Sequence, residues 1–132
     1  MVVSNHSVTV IIPSVRNHEE LDIVLKGLSN QTYSGPCEIV VVGPTNDPGK
    51  KICEKNNIQF IDDEGSRTRA DACNIAINGT ESELILFTDD DVIVPNDWVE
   101  KLVSWFSIEE VSGVGGPNFA PVKESTMWQQ VI

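Results

Sequence analysis

The sequence predicts a three-layer α/β fold with a mostly parallel central sheet. Short apolar runs alternate with amphipathic stretches along the chain. Several of those runs are apolar at nearly every position, as expected for parallel strands covered on both faces. Ile and Val together number 30 against 6 Leu, and β-branched residues favour strands. The 132 residues fit one domain, 1–132.

The first strand is expected over 8–12 and is followed by Leu21, Val24, Leu25 and Leu28 at helical spacing. Glu19 and Glu20 sit in that helix's first turn, where the dipole favours acids. Further strands are expected over 38–42, 58–61, 84–87 and 111–114. A helix over 66–77 separates the third from the fourth. Another, carrying Val99, Leu102, Val103 and Phe106, follows Pro95 with Asn96 as its cap. The resulting βαβαβαβαβ order implies right-handed crossovers. Ligands of such sheets bind beyond the carboxyl ends of the strands. Segments 13–17, 43–47, 65–69 and 89–91 are therefore the candidate site.

Nine Lys and Arg against 20 Asp and Glu give a net charge of −11 and a pI near 4.4. That balance argues against nucleic acid and polybasic membrane binding. No apolar run reaches membrane-spanning length, and residues 1–7 lack a secretory pattern. Cys37, Cys53 and Cys73 are odd in number with no paired spacing, as expected for reduced core thiols of a cytoplasmic protein. Asn78-Gly79-Thr80 matches a glycosylation acceptor, a chance match in such a protein.

Asp89-Asp90-Asp91 is the sharpest chemical signal, directly after the apolar run 84–87. Adjacent carboxylates repel and raise one another's pKa unless a cation compensates. A hard divalent ion, Mg²⁺ or Mn²⁺, resolves this with carboxylate and phosphate oxygens. His6 and His18 are too few for a histidine-rich zinc site. The alternative is a solvated acidic turn capping the next helix, which needs one carboxylate rather than three. Arg67 and Arg69 fall near a helix start, where the dipole disfavours cations. A bound diphosphate would compensate, and pairing with Asp62, Asp63 or Glu64 is the competing explanation. Asn74 is either a polar helix-face group or a ligand contact.

These residues resemble the family 2 glycosyltransferases of the GT-A, Rossmann-like fold. Val10-Ile11-Ile12-Pro13-Ser14 is similar to that family's first strand and donor turn. Leu28-Ser29-Asn30-Gln31-Thr32-Tyr33 and then Glu38-Ile39-Val40-Val41-Val42 resemble its helix, "QTY" turn and second strand. Ala72-Cys73-Asn74 resembles its A-x-N helix, and Phe87-Thr88-Asp89-Asp90-Asp91 its DXD motif. Asn96-Asp97-Trp98 and the stretch 113–117 are similar to the family's segments beyond that motif. The likeness covers nearly the whole chain.

The resemblance implies a metal-dependent, inverting, hexosyltransferase-type enzyme that moves a sugar from a nucleoside-diphosphate sugar to an acceptor hydroxyl. The donor is expected to be a UDP-sugar first, with GDP- and dTDP-sugars as alternatives, and the acceptor a saccharide or a lipid-linked sugar. It places Pro13 and Ser14 at the base and ribose, Asp89 and Asp90 at the nucleotide sugar, and Asp89 and Asp91 at the metal. Arg67, Arg69 and Asn74 join the donor site, although neither arginine falls on a family motif position. The family's acid after the second strand is replaced here by Gly43-Pro44. Asp47 either takes that role or matches a later family position, which leaves the base open. The acceptor half, with its catalytic base, is expected beyond Ile132. Among the acids after the DXD motif, Asp97, Glu100, Glu109, Glu110 and Glu124, none matches that base. The chain thus reads as the donor domain of a longer enzyme truncated before the acceptor half, cytoplasmic and held at the inner face of the membrane through a missing segment. Exposed Met127, Trp128, Val131 and Ile132 would promote homo-oligomers. The competing function is a non-catalytic nucleotide-sugar-binding or assembly module. A phosphoacceptor receiver is a third reading, disfavoured because Pro13-Ser14-Val15, not an acidic pair, follows the first strand.

Overall fold

The computed structural model describes residues 5–16 and 18–119. Four strands, β1 (Val8–Pro13), β2 (Cys37–Gly43), β3 (Gln59–Asp62) and β4 (Leu84–Phe87), form one sheet in the order β3-β2-β1-β4. Every pairing is parallel, with Val10 opposite both Ile39 and Leu86 and Val41 opposite Phe60. The helices are α1 (His18–Ser29), α2 (Gly49–Lys55), α3 (Arg69–Asn78) and α4 (Trp98–Ser104), the last running into a 3₁₀ turn at Trp105–Ser107.

Strand alternation sorts the core into two layers. Val8, Val10 and Ile12 of β1 face α1, α2 and α4, packing with Leu21, Val24, Leu25, Leu28, Cys53, Val99 and Val103. Ile11, Val40 and Val42 face α3 and meet its Ala72 and Ala76. Each fully buried aliphatic side chain contributes roughly 1.5–3 kcal/mol, so α1, with four of them, is firmly anchored. The small alanines let α3 lie close to the sheet. The expected three-layer parallel fold is the one observed.

Four local expectations need correction. Residues 111–114 form no strand; Gly113, Gly115 and Gly116 supply no side chains to pack, and glycine weakens a strand. Helix α3 starts at Arg69 rather than 66, because Glu64 and Gly65 take positive φ (54° and 74°) and turn the chain first. Asn96 does not cap α4. The N-cap is Asp97, without a side-chain bond, and the cap acceptor comes from Gln31, whose Oε1 accepts from Val99 N at 2.9 Å. Finally, Cys53 is a core thiol, with burial pushing its pKa up to about 11, whereas Cys37 is exposed and Cys73 half-buried. No helix among the described residues is long and apolar enough to cross a membrane. Met127, Trp128, Val131, Ile132 and Glu124 lie outside the described residues.

Candidate functional site at the carboxyl edge of the sheet

Parallel strands end at one edge, and there the chain brings β1, β3, β4 and the start of α3 together. A cleft of about 300 Å³ is lined by Pro13, Ser14, Val15, Val42, Asp63, Ser66, Arg67, Thr68, Arg69, Ala72 and Asp90. Ser14 is buried beyond β1, its N–H bonded to Val42 O at 3.0 Å. Its Oγ donates to Asp90 Oδ2 at 2.7 Å. The middle carboxylate of the acidic triplet is thus turned inward, 7% exposed. Asp91 is exposed and Asp89 half-buried.

Arg69 is the first residue of α3, and its guanidinium pairs with Asp89. The helix tolerates this cation because Thr68 and Asp71 form a reciprocal cap. Thr68 Oγ1 accepts from Asp71 N at 3.1 Å, and Asp71 adds a negative charge to the first turn. Neither arginine makes the competing pair with Asp62, Asp63 or Glu64 among the described residues. Asp62 instead takes hydrogen bonds from Thr45 and from Glu64 N–H, which hold its carboxyl below the usual range. Arg67 is exposed on the cleft wall and forms no ion pair among the described residues.

Of the residues singled out from sequence, Pro13, Ser14, Arg67, Arg69 and Asp90 converge on this cleft. Asp89 lines a second cavity of about 530 Å³ on the far side of Arg69, walled also by Phe87, Trp98 and segment 112–118. Asp47 lies elsewhere. Its Oδ2 accepts from Arg16 N at 2.9 Å and its Oδ1 from Gly49 N at 2.8 Å, so the buried carboxylate straps the β1–α1 loop to α2. Arg16 sits there at φ 68°. Asn74 is exposed on α3 and lines neither cavity. Sequence reasoning passed over Asp63, buried at the end of β3 in the same cleft. The signal available was its position, two residues past the apolar run 58–61 at the carboxyl edge.

Among the described residues, no group of three His, Cys, Asp or Glu converges in a preformed metal cage. A small hard cation needs only one or two carboxylates when substrate phosphates complete its shell. Asp91 and Asp89 are the accessible members for such a role, while Asp90 is committed to Ser14.

Fold and site together define a parallel α/β domain with an acidic, arginine-flanked cleft at its carboxyl edge. Within that class the chain belongs to glycosyl transferase family 2, whose model matches residues 9–132. It is 31% identical over 133 residues to an N-acetylglucosaminyltransferase of Azorhizobium caulinodans, covering 95% of this chain and 34% of that protein. The chain therefore spans about a third of that curated relative's length. Its fold matches a mannosyltransferase from Pyrobaculum calidifontis solved with GDP-Man and Mn²⁺, with TM-score 0.75, 23% identity, and coverage of 82% of this chain and 34% of the other. It also matches glucosyl-3-phosphoglycerate synthase from Mycobacterium tuberculosis, solved with Mn²⁺, UDP and glucosyl-3-phosphoglycerate. There the TM-score is 0.68 and identity 14%, with 76% of this chain and 39% of the other covered.

Proposed function

We propose that this chain is the donor-binding domain of a metal-dependent, inverting hexosyltransferase, and that its cleft takes a nucleoside-diphosphate sugar. The observation that carries this reading is the Ser14–Asp90 bond. It locks the acidic triplet to the end of β1 and leaves the flanking carboxylates, Asp89 and Asp91, on the accessible side. Family membership and two fold relatives solved with Mn²⁺ and a guanine or uracil nucleotide support it.

On this reading Asp89 and Asp91 hold Mg²⁺ or Mn²⁺ together with the diphosphate. When bound, the ion supplies Lewis-acid stabilisation of the departing nucleoside diphosphate. Pro13, Val15 and Val42 offer an apolar wall to the nucleoside, with Ser14 the polar contact beside it. Arg67 and Arg69, at the α3 N-terminus, place positive charge against the phosphates. Asp47 acts at a distance by fixing the loop that follows Ser14, and Asn74 has no role in the cleft. The acceptor is a saccharide or lipid-linked hydroxyl, and no described residue is assigned as its base.

Calorimetry with UDP, GDP and dTDP, with Mn²⁺ and with chelator, tests this directly. At least one nucleotide should bind in Mn²⁺ and lose most of its affinity in chelator. Asp91→Ala, at an exposed position that leaves the core intact, should cost at least ~2 kcal/mol, about 30-fold in affinity. Equal binding with and without metal, or by the variant, would overturn the metal assignment.

A further inference from the structure

Among the described residues one buried side-chain polar atom goes without a hydrogen bond, His18 Nδ1. His18 opens α1, and Asp47 Oδ1 stands 3.8 Å from that nitrogen, within ion-pair reach but beyond a hydrogen bond. With its proton on Nδ1 the imidazole is a donor, and Asp47 has room to accept. Its side chain is 6% exposed, and its two oxygens each take one backbone N–H, from Gly49 and from Arg16. A carboxylate offers about four acceptor sites. A buried polar atom left unpaired is costly, and a shift of about 0.6 Å would pair this one.

The same carboxylate sustains strain beside the cleft. Arg16, whose N–H it holds, sits at φ 68°, a left-handed conformation unfavourable for a residue with a Cβ. Ser14 and Val15, immediately before it, wall the cleft. Val15 leaves half its surface exposed there, apolar area that a nucleoside would cover. A ligand seated on Val15 therefore acts on Arg16, the next residue, and through its N–H on Asp47. On the other side α1 is fixed in the core by Leu21, Val24, Leu25 and Leu28, so the helix that carries His18 is the stationary half of the pair.

We propose that His18 is a positioning residue for donor binding. When a nucleoside diphosphate fills the cleft, His18 Nδ1–H donates to Asp47 Oδ1, and one buried carboxylate then ties segment 13–16, α1 and α2 together. This inference rests on the nucleotide-sugar reading above. By linkage, whatever the ligand adds to that bond, the bond adds to the ligand's affinity. Because Nδ1 makes no hydrogen bond in the free chain, removing it should leave the free chain's stability intact.

The test is calorimetry in Mn²⁺ with UDP, GDP and dTDP on wild type, His18→Leu and His18→Asn, beside urea unfolding of each free chain. His18→Leu should keep the urea midpoint, or raise it, yet bind the best of these diphosphates at least about fivefold more weakly. His18→Asn, whose amide nitrogen can take the place of Nδ1, should recover most of that loss. A second measurement needs no variant. The chain has two histidines, and His6, beside Glu83 at the opposite edge of the sheet, is the internal control. In nuclear magnetic resonance of the ¹⁵N-histidine-labelled wild type, adding the same nucleotide with Mg²⁺ should bring up a slowly exchanging Nδ1–H signal from His18 and leave His6 unchanged. Unchanged affinity in His18→Leu, a midpoint that falls in step with any loss, or no such signal would overturn the role of His18 while the donor-site reading stands. Absence of binding by every diphosphate would overturn both.

Discussion

Ser14 Oγ donates a 2.7 Å hydrogen bond to Asp90 Oδ2 across 76 positions of sequence. β1 and β4 are neighbours in the sheet, so their carboxyl ends would lie close in any case. The bond adds orientation. Asp90 is turned into the protein, and its neighbours on either side are left at the surface, where a ligand can reach them. The buried serine thus contributes to which members of the acidic triplet remain available for chemistry.

Replacing Ser14 by Ala removes one donor from a buried carboxylate. Such a loss costs about 1–3 kcal/mol. Because Asp90 has further interactions, a value in the lower half of that range is expected, read as a shift of the urea midpoint with unchanged slope. An unchanged midpoint would show that Asp90 is held without Ser14.

Gln31 ties the end of α1 to the start of α4. Its Nε2 donates to Pro95 O at 2.7 Å, and its Oε1 takes the Val99 N–H that a local cap would otherwise satisfy. Gln31→Ala should therefore destabilise the chain by about 1–2 kcal/mol. Asn96→Ala should stay within ~0.5 kcal/mol, as for an ordinary surface change. Thermal unfolding of the pair decides between a cap in sequence and a cap in space. The reverse ranking would restore Asn96 to the role that the sequence suggested.

That contrast marks where sequence reading reaches its limit here. Strands β1, β2 and β4 were legible because covered strands are apolar nearly throughout, as Val10, Ile11, Ile12, Val40, Val41, Val42 and the run 84–87 are, whereas β3 showed only Phe60 and Ile61 between the polar Gln59 and Asp62. The acidic triplet was legible because a capping turn needs one carboxylate and three crowd this strand end. Gln31 was visible only as part of a motif, since its partner lies 68 positions away. Asp47 and Asp63 were interchangeable on paper, both acids in loops after strands. Only the fold shows that Asp47 spends both oxygens on backbone N–H groups and that Asp63 spends one. The segment 111–114 has the composition of a strand, but composition does not supply the pairing that makes one.

Arg69 gives the last prediction, because its present partner is also a candidate metal ligand. Its guanidinium pairs with Asp89, and both side chains are about half exposed, 59% and 46%. Exposed pairs contribute about 0–1 kcal/mol, so this one is cheap to exchange. If Arg69 moves to the diphosphate when metal takes Asp89, Arg69→Ala should have effects of opposite sign. Mn²⁺ alone, followed by the electron paramagnetic resonance signal of the free ion, should bind no more weakly than to wild type, since Asp89 is released from its cation. A nucleoside diphosphate in saturating Mn²⁺ should bind about 10- to 100-fold more weakly, through loss of a charge-assisted bond worth about 1.5–3 kcal/mol. The corresponding nucleoside, which has no phosphate to lose, should be unaffected. Equal losses for nucleoside and diphosphate would make Arg69 a structural residue that merely shapes the cleft. Weaker Mn²⁺ binding by the variant would mean that Arg69 positions Asp89 for the ion rather than competing with it.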